Sequence, residues 1–383
     1  MATDEDFWAT VTQSFTSSPN LLNLNNGGVS PQPLVVQDAI NRYNRISNEG
    51  PAYYMWRTLG DLRDSVRAKL ADMAGTKPTE IAILRNATEA LEAIQFGIDL
   101  NPGDEVLTTD QDYPSMLNTL YQRERRDGIK VKKIKVPIPT TSFDEIVRRY
   151  EEAITPRTKV ILMCHMINLT GQIQPIKPVA DIARRKGITF ICDGAHTFGN
   201  LDFKIPDLGV DYYGTSLHKW LCAPFGSGML YVNEDKIGDV WSLFGSPEED
   251  NHKITKFEHI GTRSFPIELG IGHAIDFHNM IGSARKEARF RYLKDYWANQ
   301  VKTMPRVYFN TSLQKEHSCS IANFGIEGMK AEDLASKLLK QYHIFTVAID
   351  HEDVKGIRVS PHIYTTLKNL DRFVEAVAEI VKG

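Results

Sequence analysis

The sequence lacks the features of a membrane protein, a secreted protein and a nucleic-acid-binding protein. Among its 383 residues no apolar stretch reaches about 18 residues, the length a membrane-spanning helix requires. The start, Met-Ala-Thr-Asp-Glu-Asp, has no signal-peptide pattern, and the net charge of −3 comes without a basic run that would bind nucleic acid. We therefore predict a cytoplasmic protein, and export is compatible with the same sequence if a leader has been removed.

Cysteine is also scarce. The four cysteines, Cys164, Cys192, Cys222 and Cys319, are far apart and lack the spacing of metal ligands. Three of them lie in apolar, strand-like runs and are most simply small buried residues. This use of cysteine is typical of a reducing compartment, and we predict no metal site. The chain also has no internal repeat and no low-complexity segment.

What the chain does contain is an alternation of strand-like and helix-like segments. Hydrophobic residues make up 42% and charged residues 24%, which is typical of a globular protein with a large core. Repeated strand–helix alternation predicts an α/β fold with a mainly parallel sheet between helices. The C-terminal part predicts a smaller α+β unit. The predicted large domain spans residues 26–264, and the small domain combines 1–25 with 265–383.

Two local predictions are specific enough to be tested by a structure. The cluster Tyr53-Tyr54-Met55-Trp56-Arg57 is compatible with a substrate wall that carries an arginine clamp, or with a core segment that carries a surface charge, and we favour the core segment. Residues 342–349 are interpreted as one strand.

Lys219 lies between a strand-like run and an apolar, glycine-rich run. A buried lysine is unfavourable unless its charge is paired or lost, and the neutral amine is a nucleophile. Such an amine forms a Schiff base with an aldehyde cofactor, of which pyridoxal phosphate is the commonest. The alternative is a surface lysine between two strands.

Tyr113, Asn168, Asp193 and Lys219 each follow a strand-like segment. In an open parallel sheet such positions meet at one edge, where ligands bind. Asp193 could pair with a cationic ring nitrogen or cap the next turn, and Tyr113 could stack on a planar ring or be structural.

A strand, a polar turn and a helix follow one another around residues 81–97. This arrangement directs free backbone N–H groups at an anion such as a phosphate, with ordinary N-capping by Asn86 or Thr88 as the alternative. The turn lacks the glycines of a dinucleotide-binding fingerprint or a P-loop. With the four residues above, the helix start completes the set of groups that a pyridoxal phosphate site must supply.

Short motifs in this order resemble those of the class V aminotransferase family of pyridoxal phosphate enzymes. They are Asn-Ala-Thr-Glu-Ala (86–90), Asn-Leu-Thr-Gly (168–171), Asp-Gly-Ala-His (193–196), Ser-Leu-His-Lys-Trp (216–220) and Gly-Thr-Arg (261–263). The chain is most similar to the isopenicillin N epimerase-like branch, which is related to cysteine desulfurases and C–S lyases. The resemblance covers nearly the whole chain and implies the fold-type-I architecture of these enzymes.

The resemblance implies a role for each matching residue. Lys219 would form the Schiff base and remove the α-proton, Asp193 would pair with the pyridine nitrogen, and His196 would contact the ring-hydroxyl side. The residues implied in holding the phosphate are Ala87, Thr88, Ser216 and His218, completed by Gly261 and Thr262 on a loop of the partner subunit of a homodimer.

Further implied positions surround the ring and the substrate. Asn168 would lie near the ring or the substrate, Arg358 would clamp the substrate carboxylate, and Asn26 and Gly28 would line the substrate entrance. Tyr113 stands where the desulfurase branch has a ring-stacking histidine, which is a departure from the family pattern.

The implied substrate is an amino acid, and the implied reactions share α-proton removal. We rank an epimerase or a C–S β-elimination lyase first and an aminotransferase second. A cysteine desulfurase is disfavoured because residues 348–360 contain no cysteine. A non-catalytic protein that binds pyridoxal phosphate is ranked last, because Lys219 and Asp193 are both present.

Overall fold

The computed structural model describes all 383 residues of the chain. The helices are α1 (Glu5–Gln13), α2 (Leu34–Glu49), α3 (Pro51–Tyr53), α4 (Leu62–Ala74), α5 (Ala87–Gly97), α6 (Pro114–Asp127), α7 (Phe143–Ala153), α8 (Ile176–Arg185), α9 (Ile205–Leu208), α10 (Phe265–Ile281), α11 (Ser283–Val301), α12 (Ala331–Tyr342) and α13 (Leu367–Lys382). The strands are β1 (Leu22–Asn23), β2 (Ile81–Leu84), β3 (Glu105–Thr109), β4 (Lys130–Ile134), β5 (Thr158–Cys164), β6 (Thr189–Asp193), β7 (Tyr212–Ser216), β8 (Gly228–Val232), β9 (Val307–Phe309), β10 (Ala322–Ile326), β11 (Ile344–Phe345), β12 (Val347–His351) and β13 (Val354–Val359). No helix combines the length and the apolar composition needed to cross a bilayer.

The largest sheet has seven strands in the order β2-β8-β7-β6-β5-β3-β4. Strands β7, β6, β5, β3 and β4 run parallel to their neighbours in this order. Strand β8 is antiparallel to both β2 and β7. The predicted mainly parallel sheet is therefore confirmed, and the carboxyl ends of the parallel strands meet at one edge.

Alternate side chains of the central strands enter two different cores. In β5, Ile161 and Met163 pack in a cluster with α2, α4, α7, α8 and α10, whereas Val160 and Leu162 pack in a second cluster with α5 and α6. Because helices cover both faces, the strands are apolar throughout rather than alternating, as expected for a buried parallel sheet.

A second, four-stranded antiparallel sheet has the order β12-β13-β10-β9. It packs against α11, α12 and α13 through a third cluster that includes Trp297, Phe324 and Phe373. Strand β1 pairs in parallel with β11, which ties the N-terminal segment to this unit. The predicted domain division stays a prediction. Leu269 and Ile275 of α10 pack in a cluster of the seven-stranded sheet, so this helix contacts the large sheet beyond residue 264.

The prediction that residues 53–57 form a core segment is wrong. Tyr53 is 66% exposed and Trp56 is 60% exposed, and the segment continues α3 as a π-helix over Tyr54–Leu59. The aromatic composition of this segment favours burial. It does not indicate whether the side chains are buried within the chain or exposed where another chain could cover them.

The interpretation of residues 342–349 as one strand is also wrong. Helix α12 continues to Tyr342 and ends at His343, whose φ of 55° is left-handed. The following residues divide into β11 and β12, which belong to different sheets. Apolar runs indicate extended chain, but they do not reveal a change of pairing partner within the run.

Candidate active site

A cavity of about 300 Å³ lies at the carboxyl ends of the parallel strands. Asp193 at the end of β6 is paired in register with Cys164 of β5 and Gly214 of β7, which aligns three strand ends beneath the cavity. The remaining walls come from the start of α5, the loop before α6, the glycine-rich loop near the N-terminus and β13.

Most of the predicted site residues line this one cavity. They are Gly28, Ala87, Thr88, Tyr113, Asn168, Asp193, His196, Ser216, His218, Lys219 and Arg358. Their assembly comes from the topology, because they derive from segments that lie far apart in the sequence. The individual roles implied by the resemblance stay predictions.

Three predicted residues do not line the cavity. Asn26 is fully buried behind it, where its amide nitrogen donates to the Ser360 carbonyl over 2.9 Å and its amide oxygen accepts from Tyr364 Oη over 2.6 Å. Asn26 therefore supports the loop instead of facing a ligand. Thr262 lines a neighbouring cavity, and Gly261 precedes it on the same exposed loop, so their predicted place in a partner's site stays a prediction.

Asp193 is buried in the cavity wall, and Lys219 is half-buried beside it. Burial lowers the pKa of the Lys219 ammonium to about 8, although the charge of Asp193 opposes the shift. Burial raises the pKa of Asp193, and its carboxylate accepts one protein hydrogen bond, from the Ala195 N–H over 2.9 Å. A buried carboxylate with so few partners fits a site that receives a cationic group.

His196 connects Lys219 to the protein interior. Its Nε2 atom lies 3.5 Å from Lys219 Nζ, and its Nδ1 atom accepts from the Trp220 indole N–H over 3.3 Å. Burial holds the pKa of His196 well below its usual value, so the ring is neutral. Because Nδ1 accepts, the single ring proton is on Nε2, the atom that faces the lysine.

The start of α5 lines one side of the cavity. The Asn86 side chain caps the helix by accepting from the Glu89 N–H over 2.8 Å, and the Ala87 N–H donates to Ser216 Oγ over 3.0 Å. Thr88 occupies the first turn, where free N–H groups and the helix dipole favour a phosphate. The capping alternative and the anion-binding interpretation are therefore both compatible with this turn.

Arg358 enters the cavity from β13 of the small sheet. Its Nη1 donates to the Asn168 carbonyl over 3.0 Å and its Nη2 donates to Asn25 Oδ1 over 2.9 Å, while Nε is buried without a hydrogen-bond acceptor. Burial lowers the pKa of this guanidinium to about 10. A buried cation held by two neutral acceptors is suited to an incoming carboxylate.

Sequence reasoning missed several residues of the site. They are Gly27, Leu91, Met116, Cys164 and Ala195 in the wall and Asn25 behind it. Gly27 and Cys164 could have been found, since one belongs to the glycine-rich loop and the other ends a buried strand. Leu91 and Met116 are helix positions whose orientation only the packing defines.

A family model described as aminotransferase class-V matches residues 22–373. The chain belongs to the class V aminotransferase family. Isopenicillin N epimerase from Amycolatopsis lactamdurans is 29% identical, in an alignment that covers 98% of this chain and 99% of that protein. A probable cysteine desulfurase from Methanothermobacter thermautotrophicus is 26% identical and is aligned over 93% of this chain and 94% of its own length.

Solved structures with a similar fold confirm the predicted fold-type-I architecture. A C-DES variant with glycine covalently linked to its PLP cofactor superposes with a TM-score of 0.87 at 21% identity, covering 96% of this chain and 98% of that chain. The apo cysteine desulfurase from Thermococcus onnurineus has a TM-score of 0.86 at 20% identity, covering 99% and 98%. At these identities the likeness concerns the fold.

The cofactor of this class V aminotransferase-family chain is pyridoxal phosphate, and the residues of the cavity fit it. Asn168 Oδ1 is buried without a hydrogen-bond donor, the Asp193 carboxylate has a single donor, and the α5 start faces the same space. Asp193 would hold the ring nitrogen, the α5 start and Ser216 the phosphate, and Lys219 the aldehyde carbon. When bound, the cofactor supplies an electron-poor ring that accepts electrons from a substrate carbon.

Proposed function

We propose that this protein is an enzyme that removes the α-proton of an amino acid with Lys219 as the base and then epimerises the α-carbon or eliminates a β-sulfur group. One observation carries this proposal. A half-buried lysine, a buried aspartate and an arginine held by neutral acceptors share one cavity at the strand ends. The match to isopenicillin N epimerases over nearly the whole chain supports epimerisation of the α-carbon.

Lys219 is suited to act as the base because its pKa of about 8 leaves a substantial neutral fraction near neutral pH. His196 is neutral and presents Nε2–H toward Lys219 Nζ, so it orients the amine without competing for the proton. Its partner Trp220 is buried, which keeps that orientation.

Arg358 is proposed to bind the substrate α-carboxylate. The guanidinium is buried, and its two hydrogen-bond acceptors, Asn25 Oδ1 and the Asn168 carbonyl, are uncharged. An α-carboxylate would therefore be the counter-ion that this site lacks, and it would turn the α-carbon toward the base.

Sulfur transfer through a cysteine persulfide is not supported. The hairpin of β12 and β13 contains no cysteine, and Cys164 is the cysteine that lines the cavity. Its buried thiol donates to the Met166 carbonyl over 3.0 Å, and burial raises the pKa of the Cys164 thiol well above its usual value. A thiol in this state is a poor nucleophile. β-Elimination needs no such cysteine, which keeps the C–S lyase as a proposal beside the epimerase, with the aminotransferase second.

The test begins with the colour of the purified protein. A Schiff base at Lys219 should absorb at about 410–420 nm, and Lys219→Ala should remove this band. A panel of L- and D-amino acids in D₂O is then scored for α-deuteration, change of optical rotation, pyruvate, ammonia and sulfide.

The panel separates the outcomes. Racemised, deuterated substrate supports the epimerase, whereas pyruvate with ammonia and sulfide supports the lyase. A protein that retains the absorbance band but deuterates no amino acid would contradict the proposed activity. The proposed cytoplasmic location is compatible with four free, buried cysteines.

A further inference from the structure

The Arg358 guanidinium is held from behind by a residue that does not line the cavity. Asn25 Oδ1 accepts from Nη2 over 2.9 Å, and the Asn168 carbonyl accepts from Nη1 over 3.0 Å. Both acceptors are uncharged, so they orient the guanidinium through hydrogen bonds without neutralising its charge.

Asn25 is itself fixed by the loop in which it lies. Its N–H donates to Asn23 Oδ1 over 3.0 Å, and its carbonyl accepts from the Gly28 N–H over 3.2 Å. The loop is bound to the end of β13, since the Ser360 N–H donates to the Leu24 carbonyl over 2.7 Å. Asn25 and the strand that carries the arginine are therefore parts of one hydrogen-bonded unit.

The same loop lies beside the guanidinium. A side-chain carbon added at Gly27 would lie 3.6 Å from Arg358 Cζ, and one added at Gly28 would lie 3.2 Å from Asn25 Nδ2. The first distance is an ordinary contact, whereas the second is tight, so glycine at position 28 leaves room for the Asn25 side chain. Arg358 and both glycines line the same cavity.

We propose that Asn25 is a positioning residue that sets the selectivity of this enzyme for substrates with an α-carboxylate. This inference rests on the proposed function, in which Arg358 binds that carboxylate. A neutral amide keeps the guanidinium both oriented and unpaired. An aspartate at the same place would pair with Nη2 and compete with the substrate, so the amide is a requirement of the chemistry and not only of the fold.

The experiment compares two probes that differ in the carboxylate alone, L-alanine and L-alaninamide. Their half-saturating concentrations are measured on the holoenzyme from the change in cofactor absorbance. For Asn25→Asp we expect the value for alanine to rise about tenfold or more, and that for alaninamide to change less than about twofold. For Asn25→Ala, which removes one acceptor, we expect a rise of about threefold for alanine alone.

A pH series adds a readout that a structural role would not move. With Asn25→Asp, the rise in the half-saturating concentration of alanine should become smaller as the pH falls and the introduced carboxylate is protonated. Asn25→Ala should show no such recovery. Asn20→Asp, which adds the same charge at an exposed position, is the control and should leave both probes unchanged. If Asn25→Asp does not fold, Asn25→Ala and Asn25→Ser provide the comparison of the two probes.

The outcomes separate this inference from the proposal on which it rests. If Arg358→Lys leaves the preference for alanine over alaninamide unchanged, Arg358 does not bind the carboxylate and the proposed function is wrong at that step. If Arg358→Lys abolishes the preference while the Asn25 variants keep it, only the role of Asn25 is overturned. Equal losses for both probes would also overturn it, because they would indicate a purely structural residue.

Discussion

Lys219 is half-buried, and the surrounding protein does not fully compensate its charge. Removal from water disfavours the ammonium form, and the opposing effect of Asp193 is smaller than that of burial. The same burial favours the protonated form of Asp193. The two functional groups are thus shifted toward neutrality in the protein alone, and a cationic ring nitrogen would reverse that shift at Asp193.

The lowered pKa of Lys219 predicts the pH dependence of cofactor attachment. The pKa falls from 10.5 to about 8, so the neutral amine, which attacks the aldehyde, predominates above pH 8. Stopped-flow absorbance at about 410–420 nm after mixing apoprotein with pyridoxal phosphate should give a rate that rises with a midpoint near pH 8. Lys219→Ala is the blank. A midpoint near 10.5 would contradict the effect of burial.

Substitution of Asp193 should reduce turnover more than it reduces binding of the cofactor. Asp193→Ala is expected to retain some cofactor, because Lys219 and the α5 start are unchanged, but to lose α-proton exchange by on the order of 100-fold or more. The measurement is deuterium incorporation per bound cofactor, with cofactor content read from absorbance. Exchange at the wild-type rate would refute the role of this carboxylate in keeping the ring nitrogen protonated.

Trp220 should act through His196. Trp220→Phe removes the indole donor to Nδ1, so the proton of His196 is free to move away from the lysine side, while stacking against His362 at 5.5 Å can persist. We expect α-proton exchange to fall about tenfold at unchanged cofactor content. The matched control is Trp297→Phe, because the Trp297 indole nitrogen is buried without a hydrogen-bond partner. Equal effects of the two substitutions on exchange would contradict the prediction.

At the scale of elements, the site depends on how closely strands and turns approach one another. A side-chain carbon at Gly228 would lie 2.5 Å from the Asn86 backbone, so β8 can pass the start of α5 only as glycine. Gly194 has the same constraint against Tyr213, where the added carbon would lie 1.9 Å from Cζ. These contacts set where the turn before α5 and the Asp193 turn lie.

Gly228→Ala should therefore displace the start of α5. We expect weaker binding of pyridoxal phosphate, by about tenfold or more, together with a loss of about 1–3 kcal/mol in the free energy of unfolding. Equilibrium dialysis with the cofactor and denaturant melts measure the two effects. Gly245→Ala is the control, because nothing lies within 4 Å of its added carbon. Unchanged affinity in Gly228→Ala would show that the α5 start does not hold the phosphate.

At the scale of the molecule, the single chain leaves several large aromatic side chains in water. Trp241 is 68% exposed and Phe225 is 54% exposed, in addition to Tyr53 and Trp56. Such surfaces are characteristic of protein–protein contacts. They support the proposed homodimer, in which Gly261 and Thr262 of one subunit would reach the phosphate of the other.

The shared site is testable by mixing two inactive variants. In a dimer of one Lys219→Ala subunit and one Thr262→Asp subunit, one site carries both substitutions and the other site carries neither. Random reassociation of the two variants should therefore restore up to about a quarter of the wild-type activity per subunit. Mixing Lys219→Ala with Asp193→Ala is the control, because every hybrid site then carries one lesion. Absence of recovery in the first mixture, with dimers present by light scattering, would contradict the role of Thr262 in the partner's site.

The sequence alone determined the mainly parallel sheet, the family and most of the residues in the cavity wall. Parallel strands buried on both faces leave continuous apolar runs, and polar residues that end such runs must meet at one edge. Lys219, Asp193 and Asn168 could be predicted for that reason. The family motifs added Arg358, whose own strand carries no such indication.

Only the tertiary structure decided the contacts between distant segments. Asn25 meets Arg358 across 333 positions, and Asn26 turns away from the cavity toward Ser360 across 334. The side-chain periods of helices and strands describe the faces of one element, whereas these contacts depend on how the N-terminal loop packs against a strand of another sheet. The neutral support of the arginine and the tautomer of His196 are therefore properties of the folded chain, because the atoms that establish them are brought together only by that packing.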